Sequence, residues 1–286
     1  MKAMQSYHPL TLFVYFVAVL GISMFLQNPI IQIQAVCGGL LCLRMLLPSK
    51  EWRRALLWYA MIFVAVTLTN PLFSHQGDTV LFTLGNIPFT LQALAYGGGM
   101  GLLLVGTMVW FRCYSETVTE EKFLFLFGKC APKTALLLTM SLRFIPLFRR
   151  RMRAVFAAQK GMGLYADKTL SEKLKSTARM FISLLTWSLE NAMDTAAVMK
   201  ARGYGQVPRT AYTIYRFTLR DGVLLAVYVL LFGITLGNVS AFAYYPRLSV
   251  IPPSIAGYIA FGVLTVLPCI FHVKEAIVWR CYLSKT

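Results

Sequence analysis

Six long apolar segments, 10–26, 30–47, 55–69, 93–111, 222–237 and 254–271, run along the chain, joined by short polar connections except for one long interruption before the fifth. Each approaches the roughly 20 residues that a helix needs to cross the hydrocarbon core of a bilayer. Arg44 is the lone charge inside them. The pattern predicts an all-α membrane protein of six spans. Lys2 precedes the first segment, but no small-x-small cleavage site follows Phe25-Leu26-Gln27-Asn28-Pro29, so this segment reads as an anchor. Between the third and fourth segments, residues 79–90 carry two β-rich runs around Gly85-Asn86, the pattern of a hairpin turn. Pro88 confines its strand to an edge. A small extracellular hairpin is expected.

This layout divides the chain into a four-span N-terminal bundle (1–111), a cytoplasmic region (112–221) and C-terminal membrane helices with a tail (222–286). Composition agrees: 57% of the 286 residues are hydrophobic and 14% charged, against about 45–50% and 25% in soluble chains. Disordered, collagen-like and disulfide-stapled secreted classes are thereby excluded. The formal charge of +17 is explained by topology. Residues 112–221 hold 19 Lys and Arg, the 48–54 loop holds Lys50, Arg53 and Arg54, and the tail holds Lys274, Arg280 and Lys285; residues 70–92 hold none and 238–253 only Arg247. Cytoplasmic loops collect positive charge. Both termini and the central region are therefore expected in the cytoplasm, and no nucleic-acid partner is expected, because such a role needs aromatic or Arg-rich readout surfaces as well.

No motif in the chain announces chemistry. Cys37, Cys42, Cys113, Cys130, Cys269 and Cys281 form no C-x-x-C pair, and His8, His75 and His272 lie far apart, so neither a disulfide framework nor a metal site is expected. Gly97-Gly98-Gly99-Met100-Gly101 lacks the spacing of a phosphate loop. Gly97 and Gly101, four apart, instead give the fourth span a small face for close helix contact. A membrane enzyme would need a nucleophile–base set or metal cluster, and a stand-alone channel or carrier, the alternative reading, would need polar residues converging at membrane depth.

The central region carries the distinctive pattern. One helix is predicted from Pro132, acceptable in a first turn, to Gly161, with a kink at Pro146. Arg149, Arg150, Arg151 and Arg153 follow the kink and form a basic surface for lipid headgroups or an acidic protein face. A second helix over 171–201 shows a stripe at Leu174, Ala178, Phe181, Leu185, Ser188, Ala192, Thr195 and Met199. From Ser188 onward the stripe is built mainly of small residues, so a crossing helix is expected there. Both helices finish alike: Ala157-Ala158-Gln159-Lys160-Gly161-Met162-Gly163 aligns with Ala197-Val198-Met199-Lys200-Ala201-Arg202-Gly203. Glycine at a helix end with a cation nearby is ordinary capping; a pair of such tips in one segment suggests two docking points on a partner.

These residues resemble a known family, the T components of energy-coupling factor (ECF) transporters, which are vitamin and metal-ion importers of the ATP-binding cassette class. The resemblance rests on Ser141-Leu142-Arg143-Phe144-Ile145-Pro146, on Ala158-Gln159-Lys160, and above all on Met199-Lys200-Ala201-Arg202-Gly203-Tyr204-Gly205. It implies a multi-pass, non-catalytic subunit of a prokaryotic cell membrane whose two coupling helices, shaped around Arg143 and Pro146, dock on two ATPase subunits and move a membrane substrate-binding S component. The docking residues implied are Ala201, Arg202 and Gly203 at one tip and Lys160, Gly161, Met162 and Gly163 at the other. Met162 stands where arginine is usual in the family; either Lys160 supplies the charge there or the contact is mainly apolar, and in both cases the two ATPases need not be identical. No cofactor is implied in this chain; ATP and Mg would be bound by the ATPases.

Overall fold

The computed structural model describes residues 7–73, 79–84, 87–128, 131–163, 170–206, 215, 217–239, 242, 244 and 255–283. Nine helices and one strand pair occur among them: α1 (Pro9–Phe25), α2 (Pro29–Leu46), α3 (Ser49–Phe73), β1 (Val80–Leu84), β2 (Ile87–Thr90), α4 (Leu91–Thr117), α5 (Glu120–Gly128), α6 (Pro132–Gly161), α7 (Leu170–Ala201), α8 (Leu219–Asn238) and α9 (Ile255–Leu283). All six apolar segments are helical. By length and composition α2, α3, α4 and α8 can each cross a membrane, whereas α1 and the apolar Ile255–Ile270 part of α9 are shorter. The multi-pass, all-α architecture expected from the sequence is therefore present. The helices outrun the apolar segments: α3 starts at Ser49 and takes in the basic loop, α4 runs on to Thr117, and α9 continues through Pro268 to Leu283, so Lys274 and Arg280 belong to a helix. The short α5 had no counterpart in the sequence reading.

The chain forms two compact units, one of Met1–Phe123 with Tyr215–Thr286 and one of Leu124–Ile214. In the first, α1 packs on α8, α4 and α2, while α2 packs on α4 and α9. The core gathers Tyr15, Phe16, Ile22, Leu43, Trp110 and Phe261, all essentially buried. Lipid is as apolar as these side chains, so helix association depends on close packing and hydrogen bonds. Trp110 Nε1 donates to the Ala35 carbonyl oxygen of α2 at 2.9 Å, and Asn70 Nδ2 of α3 donates to the Ala93 carbonyl oxygen of α4 at 2.7 Å. A Cβ on Gly39 would stand 2.8 Å from Val109 Cγ1, and one on Gly38 2.6 Å from Thr265 Cβ.

The glycine run of α4 is structural. Cβ atoms on Gly97 and Gly101 would meet Thr67 and Phe63 of α3 at 2.8 and 3.0 Å, so these two glycines form the expected contact face. Gly99 instead approaches Tyr244, and Gly98 faces open space.

The polypeptide entering α4 forms the expected hairpin. Strands β1 and β2 are antiparallel, with Leu84 opposite Ile87 and Thr83 opposite Pro88, and the register shifts between Val80 and Phe82. The Gly85-Asn86 turn lies outside the described residues, as do His75 and Cys130. Thr90 ends the hairpin and caps α4, its Oγ1 accepting from the Ala93 N–H at 3.3 Å.

Polar caps join the ends of distant helices. The Asp221 carboxylate of α8 accepts from the backbone N–H of His8 at 3.2 Å and from the Thr218 hydroxyl at 2.7 Å, while His8 Nδ1 accepts from the Leu10 N–H. Asn28, at the start of α2, donates to the Tyr258 hydroxyl of α9 at 3.0 Å.

Candidate functional site

The second unit is built on the two longest helices, α6 with 30 residues and α7 with 32. They meet near their midpoints. Phe148 packs on Trp187 with ring centroids 6.4 Å apart, and the Arg151 guanidinium lies over the same indole, 5.6 Å from its centroid. Helix α6 runs uninterrupted through Pro146, whose missing N–H leaves the Leu142 carbonyl without its helical donor.

The covered face of α7 differs from the stripe expected. Ser176 and Leu184 are buried and Met180, Trp187, Ser188, Asn191, Thr195 and Met199 partly so, whereas Leu174, Ala178, Phe181, Leu185 and Ala192 of the expected stripe are exposed. Only Ser188, Thr195 and Met199 are shared. The helix thus presents two adjacent faces. A mixed-polarity face is covered within the chain, and a more apolar one, continued by Ile182, Leu189 and Met193, is left outward.

Both helices end in the same local geometry. At the end of α7 the Gly203 N–H donates to the Lys200 carbonyl oxygen at 3.0 Å and the Tyr204 N–H to that of Met199 at 3.1 Å, the paired bonds of a Schellman cap. Gly203 has φ +77°, open to glycine at little cost. At the end of α6 the Gly163 N–H donates to the Lys160 carbonyl oxygen at 3.1 Å and Gly163 has φ +79°. Met162 and Arg202 thereby occupy equivalent positions just before the turning glycine. Both side chains are outward: Met162 is 69% exposed, and Arg202, Lys160 and Lys200 are also exposed. The cations complement the partial negative charge that a helix end carries. The residues identified from the sequence, Lys160, Gly161, Met162 and Gly163 on one tip and Ala201, Arg202 and Gly203 on the other, therefore form two separate but matching surfaces.

Inside the first tip lies Gln159, 7% exposed, whose Oε1 accepts no hydrogen bond among the described residues. Periodicity gave no signal for it. Arg143, Pro146, Arg149, Arg150, Arg151 and Arg153 are all exposed on α6, and Arg151 in addition lies over Trp187. Of the four clustered arginines, Arg151 therefore also serves the helix crossing.

Residues 4–213 match the family described as Cobalt transport protein (CbiQ), a stretch that takes in α1 to α7 and both tips. Curated relatives agree. An energy-coupling factor transporter transmembrane protein of Bacillus selenitireducens is 29% identical over 225 residues, 71% of this chain and 81% of the relative. Proteins of the same description from Listeria innocua and Brevibacillus brevis are 29% and 30% identical, over 60% and 59% of this chain and 69% of each relative.

Proposed function

Since this chain belongs to the CbiQ cobalt transport protein family, as a transmembrane T component of the energy-coupling factor type, we propose that it carries ATP-driven motion from two ATPase subunits to a membrane substrate-binding S component during vitamin or metal-ion uptake. The observation that carries this reading is the pair of matching helix ends, with Gly163 at φ +79° and Gly203 at φ +77° presenting Met162 and Arg202 in equivalent positions. Each tip seats in a groove of one ATPase. Arg202 meets a carboxylate there through charge-assisted hydrogen bonds, and Met162 meets an apolar patch, so the two ATPases are unlike. ATP and Mg are held by those partners, and this subunit supplies no catalytic group.

The outward face of α7, with Phe181, Leu185, Leu189 and Met193 exposed, suits a moving partner. Apolar burial is non-directional and tolerates sliding of the S component, whereas the charged tip fixes position. The excess of Lys and Arg in residues 112–221 supports a cytoplasmic coupling region with both termini on the same side of the cell membrane, and an extracellular hairpin β1–β2. Co-purification tests the whole assignment. Expressed with the ATPases and substrate-binding subunit encoded in the same genome, the chain forms a complex with them; failure to assemble abandons the reading.

A further inference from the structure

Helix α6 contains seven cations and no Asp or Glu. At 100° per residue, Arg149, Arg153, Arg150 and Arg143 fall within about 120° of its circumference, and Arg151 falls outside that arc. All four are exposed, and among the described residues none of them is in an ion pair. The arc is flanked by exposed apolar side chains, Leu147 at one edge and Phe156 at the other. A cationic strip bordered by apolar groups matches the boundary between lipid headgroups and acyl chains. The chain holding it is tied at both ends to helices long and apolar enough to cross a membrane, α4 and α8.

We infer that Arg143, Arg149, Arg150 and Arg153 form a binding face for anionic phospholipid headgroups. Guanidinium groups engage phosphate oxygens in paired hydrogen bonds, and a surface that supplies four of them selects lipids of net negative charge over zwitterionic ones, in which the ammonium offsets the phosphate. This role rests on the proposed cytoplasmic coupling region and sets α6 at its membrane side. It is separate from the tips: Lys160 and Arg202 serve the ATPases, while this strip fixes the height and tilt of the helix against the bilayer.

The test uses the assembled transporter in nanodiscs of mixed phosphatidylcholine and phosphatidylglycerol. The ratio of the two lipids that stay with the complex after mild detergent extraction is compared with the bulk ratio. The native complex retains phosphatidylglycerol several-fold above bulk, less so at high salt. The fourfold Arg→Gln variant falls to the bulk ratio, and the fourfold Arg→Lys variant keeps part of the enrichment. Single Arg150→Gln, which leaves the rest of the helix intact, lowers it on the order of two- to fivefold. Undiminished enrichment in the Gln variants overturns the proposal, and so does loss of the ATPases from them with the lipid ratio unchanged, which would assign the strip to an acidic protein surface. Arg202→Glu separates the two readings, because it releases an ATPase and leaves the lipid ratio as in the native complex.

Discussion

Arg151 lies over the face of Trp187, 5.6 Å from the ring centroid, where α6 and α7 meet. With Phe148 packed on the same indole, Trp187 is the joint of the second unit. Cation–π and aromatic pairs of this kind contribute about 0.5–1.5 kcal/mol each. Trp187→Leu is expected to destabilise the unit by about 1–2 kcal/mol and to lower uptake per ATP hydrolysed, while the ATPases still co-purify. Unchanged coupling in reconstituted vesicles would show that the joint does not transmit motion.

The two tips differ in chemistry and are expected to differ in sensitivity. Arg202→Glu should weaken one ATPase contact by about 2–5 kcal/mol, read as loss of that subunit on purification or as hydrolysis without uptake. Met162→Glu should do less harm. Equal damage at both tips rejects the unlike pair of ATPases.

Backbone geometry separates the glycines of the tips. Gly203→Ala places a Cβ on a residue at φ +77° and should cost about 1–2 kcal/mol of local stability. Gly161→Ala meets no atom within 4 Å and removes a helix-weakening glycine, gaining about 0.5–1 kcal/mol. Thermal unfolding of the two variants should therefore move in opposite directions.

Within the first unit, Gly39→Ala drives a Cβ to 2.8 Å from Val109 and should destabilise the α2–α4 contact by about 1–3 kcal/mol. Gly98→Ala, on the same run as Gly97 but facing open space, should be tolerated. Detergent-resistant melting temperatures distinguish them.

Lys122, in α5, is 3% exposed, and burial pushes its ammonium below the usual lysine range. The unfolded chain then binds more protons between that lowered value and about 10.4, so this residue makes stability rise with pH across the window. The stability difference between Lys122→Met and the native protein should favour the methionine variant most at neutral pH and shrink toward about pH 10. A difference constant with pH removes the ionisation argument.

Helix positions and both tips were legible because their signals are local: Pro132 at an entry, Gly163 and Gly203 at exits, apolar length for the spans. The covered face of α7 was not. Phe181 and Leu185 mark a stripe that wants apolar surroundings, and a sequence does not say whether the same chain or a partner supplies them. Trp187 lay off that stripe, and Gln159, on α6, had no stripe to mark it. The link from Asp221 to His8 spans 213 positions, beyond any periodicity, and His8 reads in isolation as an incidental polar residue. The glycine run was read for one contact face; Gly99 against Tyr244 adds another that depends on tertiary folding.

From the crossing at Phe148 and Trp187, Gly161 and Ala201 are each about 20 Å away along their helices. Two stiff arms pinned at their centres obey the kinematics of scissors. A turn of about 10° swings each tip through about 3.5 Å at that radius, and Pro132 and Leu170, about 25 Å from the crossing, through about 4 Å. Drawing the tips together draws Pro132 and Leu170 together and spreads Gly161 from Leu170. In this geometry any displacement of the tips reaches the far ends slightly enlarged, without any bond in the chain having to break.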